Sequence, residues 1–329
     1  MIRDAADVEQ RFLDAWNHRK VYIESNQIQA FRLITREELE LPLAVDIFKN
    51  GEDSNCVFQV YDEELPQEMI EMVFDLMRLD HAAKRYFIKK RYRVKEKVDD
   101  GGDIGEEPVE MLIEEAGHKF ALNLNNYLDT GLFLDHRETR KRLQKMVSDF
   151  TVIHGRAPVV ANLFAYTGSF SVYAAAGGAE RTHTVDLSKT YCDWARRNMD
   201  LNGFGQEQNW IYRMDAFEFL KYAARKGLKF DIVIIDPPTF SRNKGVNWSV
   251  QKDHLALLEG VNNLCQPNAE IIFSNNCLDF RMDRGVDEIF KVQDITHETV
   301  PLDFWIRTEA EDWWNEGGQI HNCFLLKKK

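Results

Sequence analysis

The chain has 329 residues, room for roughly two domains at ~150 residues each. With 44% hydrophobic and 29% charged residues, and no apolar run approaching the ~18 residues a bilayer demands, the composition is that of an ordinary soluble protein. A formal net charge of −12 excludes coating of nucleic acid through bulk charge, so any RNA site must be a local patch.

The start, Met1-Ile2-Arg3-Asp4, leads into polar sequence without a secretory signal, which predicts a cytoplasmic protein. Over residues 1–125 the pattern predicts a smaller α+β domain. It has a polar helix at Ala5 to Asn17, strand-like runs near Phe31 and Val57, and an amphipathic helix from Pro66 to Ala83. A hairpin is expected around Glu115-Ala116-Gly117-His118, and the glycine-rich acidic stretch Asp99 to Glu107 reads as a loop. Between the helix ending at Ala83 and that loop, Lys84, Arg85, Lys89, Lys90, Arg91 and Arg93 form a basic stripe with Tyr86, Phe87 and Tyr92 interleaved. Such a stripe neutralises phosphates while its rings stack on bases, which suits an RNA-docking arm; a solvated edge strand has the same composition.

The second domain is expected over residues 126–329. Strands are predicted at Val159 to Phe164, Arg181 to Val185, Trp210 to Arg213, Phe230 to Ile235 and Ala269 to Phe273. Helices at Ser169 to Ala176, Lys189 to Asn202, Ala216 to Arg225 and Lys252 to Cys265 alternate with them, the mark of a doubly wound, Rossmann-like α/β sheet. The tail adds strands at Val292 to Thr299 and Ile320 to Leu326, separated by a polar, Trp-containing segment.

The first of these strands runs into Phe164-Ala165-Tyr166-Thr167-Gly168-Ser169-Phe170 and turns directly into a helix. Open α/β sheets bind ligands at strand carboxyl ends, where Gly168 permits a tight turn and the N–H groups of the helix beginning at Ser169 offer partial positive charge. Eighteen residues on, Asp186 ends the second strand and can accept hydrogen bonds from a ribose diol. A dinucleotide turn uses G-x-G-x-x-G to admit a pyrophosphate, whereas this turn has one glycine flanked by Phe164, Tyr166 and Phe170. A compact zwitterionic cofactor fits it better than NAD.

After the third strand, Asp215 stands beside Ala216 and Phe217, either as a helix N-cap or as a partner of an adenine amino group. The fourth strand ends in Asp236-Pro237-Pro238-Thr239-Phe240. Two prolines fix the backbone there, and a carboxylate beside an aromatic ring supplies polar recognition and stacking for an extruded planar base. The five cysteines are scattered singly with no metal-ligand spacing, so no structural metal is expected. No histidine or paired catalytic group stands out.

Together these residues resemble the guanine-N7 methyltransferase (RlmK) half of the bifunctional bacterial large-subunit rRNA methyltransferases. The resemblance lies in the stretch from Asn126 to Arg137, in Asn162 to Phe170, in Asp236 to Ser241, in Phe273-Ser274-Asn275-Asn276 and in Gln319-Ile320-His321-Asn322-Cys323. It implies a class I methyltransferase fold with a seven-stranded sheet whose last strand is antiparallel, S-adenosylmethionine as methyl donor, and ribosomal RNA as partner. By that resemblance Phe164, Tyr166, Thr167, Gly168, Ser169, Asp186, Ser188, Asp215 and Ala216 hold the cofactor, with Asp135 and Arg137 at its methionine end. Asp236, Pro237, Pro238 and Phe240 border the target base.

Guanine N7 has a free lone pair and needs no general base. Cytosine C5 instead requires a cysteine nucleophile, for which Cys277 is the candidate. A non-catalytic RNA-binding assembly factor and an NAD-dependent dehydrogenase are the remaining alternatives.

Overall fold

A computed structural model describes residues 5–92, 107–243, 246–306 and 320–329. Arg93 of the basic stripe, the stretch Asp99 to Glu106 and residues 307–319 of the tail lie outside the described residues. The chain divides into two compact units, Met1–Leu134 with Pro301–Gln319, and Asp135–Val300 with Ile320–Lys329. The boundary therefore falls after Leu134, compared with an expected one at 125, and part of the tail belongs with the first unit.

In the first unit, α1 (Ala5–Ser25) is followed by β1 (Ala30–Ile34), a one-turn α2 (Arg36–Leu39), β2 (Leu43–Asn50) and β3 (Asp53–Val60). Helix α3 (Gln67–His81) crosses over to β4 (Arg85–Lys90), and a hairpin of β5 (Glu110–Glu115) and β6 (His118–Asn123) completes it. Strands β1 to β4 lie side by side in that order, with β4 parallel to β3 at the edge. The hairpin turns through Ala116 (φ 50°) and Gly117 (φ 83°), the left-handed pair that matches the twist of its strands.

Sequence reading misses β2 because Asp46 interrupts its apolar run. That carboxylate is buried and paired, to Arg32 on β1 and to Gln59 Nε2 on β3 at 2.9 Å, so the strand is central despite its charge. The segment after Pro301 is tied in by Arg19, which is fully buried. It donates to the carbonyls of Asp303 (2.9 Å) and Trp305 (3.1 Å) and pairs with Glu38 at 2.7 Å.

The second unit opens on α4 (Arg137–His154) and then alternates β7 (Val159–Leu163), α5 (Ser169–Ala176), β8 (Arg181–Asp186), α6 (Lys189–Leu201), β9 (Asn209–Arg213), α7 (Ala216–Arg225) and β10 (Phe230–Ile235). A hairpin of β11 (Phe240–Asn243) and β12 (Val246–Ser249) leads to α8 (Val250–Asn262) and β13 (Cys265–Asn275). One-turn α9 (Val286–Ile289), β14 (Phe290–Asp294), one-turn α10 (Thr296–Thr299) and β15 (Asn322–Lys328) finish the chain.

The sheet runs β14-β15-β13-β10-β7-β8-β9, with β15 antiparallel to both neighbours and the rest parallel. This is the class I methyltransferase arrangement expected from the sequence. Strand β10, Phe-Asp-Ile-Val-Ile-Ile, is buried on both faces: Val233 and Ile235 join one apolar cluster, Ile232 and Ile234 another. At its start the buried Asp231 is answered by Arg156 at 2.6 Å and by the Val159 N–H at 2.9 Å. The strand expected from Val292 to Thr299 stops at Asp294, whose side chain accepts from the Thr296 N–H at 2.9 Å and starts a helical turn instead.

Candidate active site

The loop after β7 holds an unusual run of backbone. Phe164 (φ 58°), Tyr166 (φ 52°) and Gly168 (φ 73°) are all left-handed, two of them without being glycine. The loop is pinned from the next strand, where Asp186 accepts from the Tyr166 N–H and from the Ser188 N–H, each at 2.8 Å. It is also pinned from α6, where Asn198 donates to the Thr167 carbonyl at 2.9 Å. Gly168 lies against α6 so closely that a Cβ there would stand 2.8 Å from Ala195 Cβ. The glycine thus sets the packing of the turn as well as its direction.

Of the helices that follow β7, β8 and β9, two begin with a side-chain cap: Ser188 accepts from Tyr191, and Asp215 from Phe217 and Glu218. Helix α5 begins at Gly168 with no side-chain cap, so its first N–H groups remain for an acceptor from outside the chain. Both cap bonds of Asp215 fall on Oδ1, which leaves Oδ2 for an amino group. Burial pushes the Asp186 carboxyl up, opposed by the backbone N–H groups that it accepts from. Leu187, 48% exposed immediately after Asp186, is an apolar surface that sequence reasoning passed over. Its signal was an apolar residue directly after the strand-end acid and before the Ser188 cap. These donors, acceptors and apolar faces suit a nucleoside bearing a carboxylate.

Asp236 directly follows β10, where Ser274 Oγ donates to its Oδ1 at 2.7 Å. Pro237 is buried and Pro238 exposed, with the Pro238 carbonyl held by Trp248 Nε1 at 2.8 Å. Trp248, also missed from the sequence, stands between Phe164 and Phe217, with ring centroids 5.7 and 5.9 Å away. Phe240 is 73% exposed at the start of the β11–β12 hairpin. Ser169 and Ser188 are half-buried, while Thr167 and Ala216 are buried.

A third omission is larger. Asp135 and Arg137, buried at the entry to α4, flank His136, whose ring stacks on that of His321 with centroids 4.4 Å apart and planes 9° from parallel. His321 Nδ1 lies 3.3 Å from Asp135 Oδ2, and His136 Nε2 lies 3.6 Å from Asp236 Oδ2. The histidines hold the Asp135 carboxyl far below the usual range against the opposing effect of burial. Ligand atoms of Asp135, His136 and His321 fall within 4.8 Å of one another. Two stacked rings share no common plane, however, so they cannot both direct an in-plane lone pair at one ion.

The family model described as S-adenosylmethionine-dependent methyltransferase matches residues 57–315. The chain belongs to that family. A ribosomal RNA large subunit methyltransferase K of Neisseria meningitidis is 35% identical to this methyltransferase over 95% of the chain and 84% of its own length. A methyltransferase K/L of Vibrio cholerae is also 35% identical over 98% of the chain, which spans 44% of that longer protein. Among solved structures, SMU.776 complexed with SAH matches with a TM-score of 0.79 at 24% identity, covering 99% of this chain and 82% of that one. The methyltransferase accordingly uses S-adenosylmethionine as its cofactor.

The basic stripe divides on the first unit. Lys84, Arg85 and Lys90 are exposed, Lys84 within 2.8 Å of Asp53. Lys89, expected at an RNA surface, is buried and donates to the Tyr127 carbonyl; burial lowers its pKa to about 8. Arg91 is half-buried between Asp129 (2.8 Å) and Gln59 (2.7 Å). Period-two alternation along an edge strand turns the one lysine inward while its neighbours face water. No helix of the described residues is long and apolar enough to cross a membrane.

Proposed function

We propose that this methyltransferase transfers a methyl group to N7 of a guanine in large-subunit ribosomal RNA, in the cytoplasm. The observation that carries the reading is the pairing of a fixed carboxylate, Asp236 on Ser274, with the open ring of Phe240 four residues on. Guanine offers parallel N1–H and N2–H donors to a carboxylate and a flat face to a ring, and the names of the relatives from Neisseria and Vibrio point to ribosomal RNA.

In this reading Phe164, Tyr166, Thr167, Gly168, Ser169, Asp186, Ser188, Asp215 and Ala216 hold the donor. The α5 N–H groups face its carboxylate, Asp186 its ribose and Asp215 Oδ2 its adenine amino group, with Asp135 and Arg137 ordering the methionine end. The bound cofactor supplies an electrophilic sulfonium methyl. The N7 lone pair lies in the ring plane and attacks without prior deprotonation, so Asp236, Pro237, Pro238 and Phe240 act chiefly by orientation. As the bond to N7 forms, the base becomes cationic, and the Asp236 carboxylate across the ring stabilises that charge.

Cys277, the nucleophile that a cytosine-C5 reaction would need, packs against the apolar cluster of the sheet, and its N–H and carbonyl are held by Asn275 and Asn322. That is the setting of a small hydrophobic residue. Lys84, Arg85 and Lys90 supply phosphate contacts on the first unit. The test is labelled S-adenosylmethionine with ribosomal RNA from a strain lacking the enzyme, followed by nucleoside mass spectrometry. Recovery of 7-methylguanosine, lost in Phe240→Ala, is expected; 5-methylcytidine, with an RNA adduct trapped on Cys277, refutes the assignment.

A further inference from the structure

Ser274 satisfies one oxygen of Asp236, and the neighbour of the other oxygen is His136. Its Nε2 stands 3.6 Å from Asp236 Oδ2 and 3.9 Å from Asp135 Oδ2, and it is buried with no hydrogen-bond partner. A buried ring nitrogen left unmatched is costly, and such atoms gather where a ligand completes them.

The surrounding proton inventory decides what this nitrogen does. His136 Nδ1 lies 3.3 Å from Thr139 Oγ1; a hydroxyl donating there leaves the imidazole proton on Nε2. The stacked partner His321 faces oxygen at both nitrogens. Thr299 Oγ1 sits 3.1 Å from its Nε2 and spends its own proton on the Thr296 carbonyl at 2.9 Å, so it accepts from the ring. Asp135 Oδ2 lies 3.3 Å from the other nitrogen. Asp135 Oδ2 has His321 as its nearer ring, at 3.3 Å against 3.9 Å to His136, and Asp236 is the carboxylate nearest His136 Nε2, at 3.6 Å.

We infer that His136 Nε2–H closes onto Asp236 Oδ2 when the target base enters, making His136 a positioning residue for methyl transfer. The inference rests on the proposed meeting of Asp236 with the base. Held by Ser274 at one oxygen and His136 at the other, the carboxylate cannot rotate, and its two outer lone pairs face the paired N1–H and N2–H of guanine. Adenine carries an acceptor at N1 and no 2-amino group, so the same clamp rejects it. Burial lowers the His136 pKa, opposed by the Asp236 and Asp135 carboxylates beside it.

The experiment compares His136→Phe, which keeps the stack on His321 and the edge contact with Phe170 (centroids 5.7 Å apart) but loses the donor, with His136→Gln, whose amide reaches the place of Nε2. Single-turnover methylation of ribosomal RNA should fall about 10- to 100-fold in the Phe variant, the loss of one hydrogen bond to a charge. Cofactor Kd and thermal midpoint should stay at wild-type values, and the Gln variant should recover most of the rate. A Phe variant within about threefold of wild type, or a Gln variant as slow as it, overturns the inference.

Imidazole nitrogen spectra of the free protein give a readout independent of turnover. A protonated Nε2 that shifts in Asp236→Asn supports the clamp, and a proton on Nδ1 overturns it. The product is identified in the same reactions. A nucleoside other than 7-methylguanosine refutes the N7 reading, while the order of the variants on that product still decides the role of His136.

Discussion

Replacing Gly168 by alanine tests the geometry of the cofactor turn through two separable costs. The residue has φ 73°, which a side-chain-bearing residue adopts at about 1–2 kcal/mol. The new Cβ would also stand 2.8 Å from Ala195 Cβ and 3.3 Å from Ala195 Cα. Neither atom is the flexible end of a side chain, so α6 or the loop must shift, a further 1–3 kcal/mol in round terms (~) for overpacking. The sum, about 2–5 kcal/mol, is a large share of the ~5–15 kcal/mol of a typical domain.

A double-mutant cycle separates the parts. Ala195→Gly alone costs about 1 kcal/mol as a glycine in a helix, yet combined with Gly168→Ala it removes the 2.8 Å Cβ clash and leaves the backbone strain and the 3.3 Å approach to the Cα of residue 195. Urea unfolding should therefore return a favourable coupling of about 1–3 kcal/mol between the two sites, with cofactor affinity recovering in parallel. Additive single effects, or a Gly168→Ala protein as stable as wild type, would show that α6 does not press on this turn.

Asp186→Asn offers one acceptor oxygen where two N–H groups at 2.8 Å now point, so cofactor Kd by calorimetry should rise about 10- to 100-fold with the fold retained. Because burial raises the Asp186 pKa, cofactor affinity in the wild type should fall on acidification through that raised value, and the Asn variant should lack the dependence. His81 and His183 are buried neutral, each lowered from 6.5 to about 4. The unfolded chain takes up their protons from pH 6.5 downward and the fold only near 4, so stability is full above 6.5 and drains across that window, by roughly 3 kcal/mol per histidine at most. Urea midpoints at three pH values read this, and His183→Phe should flatten the slope; an unchanged slope counts against burial as the cause. Asp231→Ala strands Arg156 and the Val159 N–H at the base of the sheet and should cost about 2–4 kcal/mol in thermal unfolding, against near-zero for the exposed pair Lys189–Asp193.

What local pattern could determine, it did. The alternation of short apolar runs with helical periods defined the doubly wound sheet, because side-chain period is a property of neighbouring residues. The single-glycine turn, Asp186 at the end of the next strand and Asp236-Pro237-Pro238 were legible for the same reason: each is a short segment whose chemistry follows from its own backbone. Where an ion was satisfied from another strand, as Asp46 was by Arg32 and Gln59, pattern alone failed and β2 went unread. Lys89 belongs to the same class, since composition does not say which face of β4 meets solvent.

The histidine cluster was decided by tertiary structure alone. Residues 135 and 321 are 186 apart in sequence, and they meet because β15 runs antiparallel to β13 and so starts at the carboxyl edge of the sheet, which places His321, just before it, at that edge. No local window contains both rings, so neither histidine looks unusual until folding sets them face to face beside Asp236.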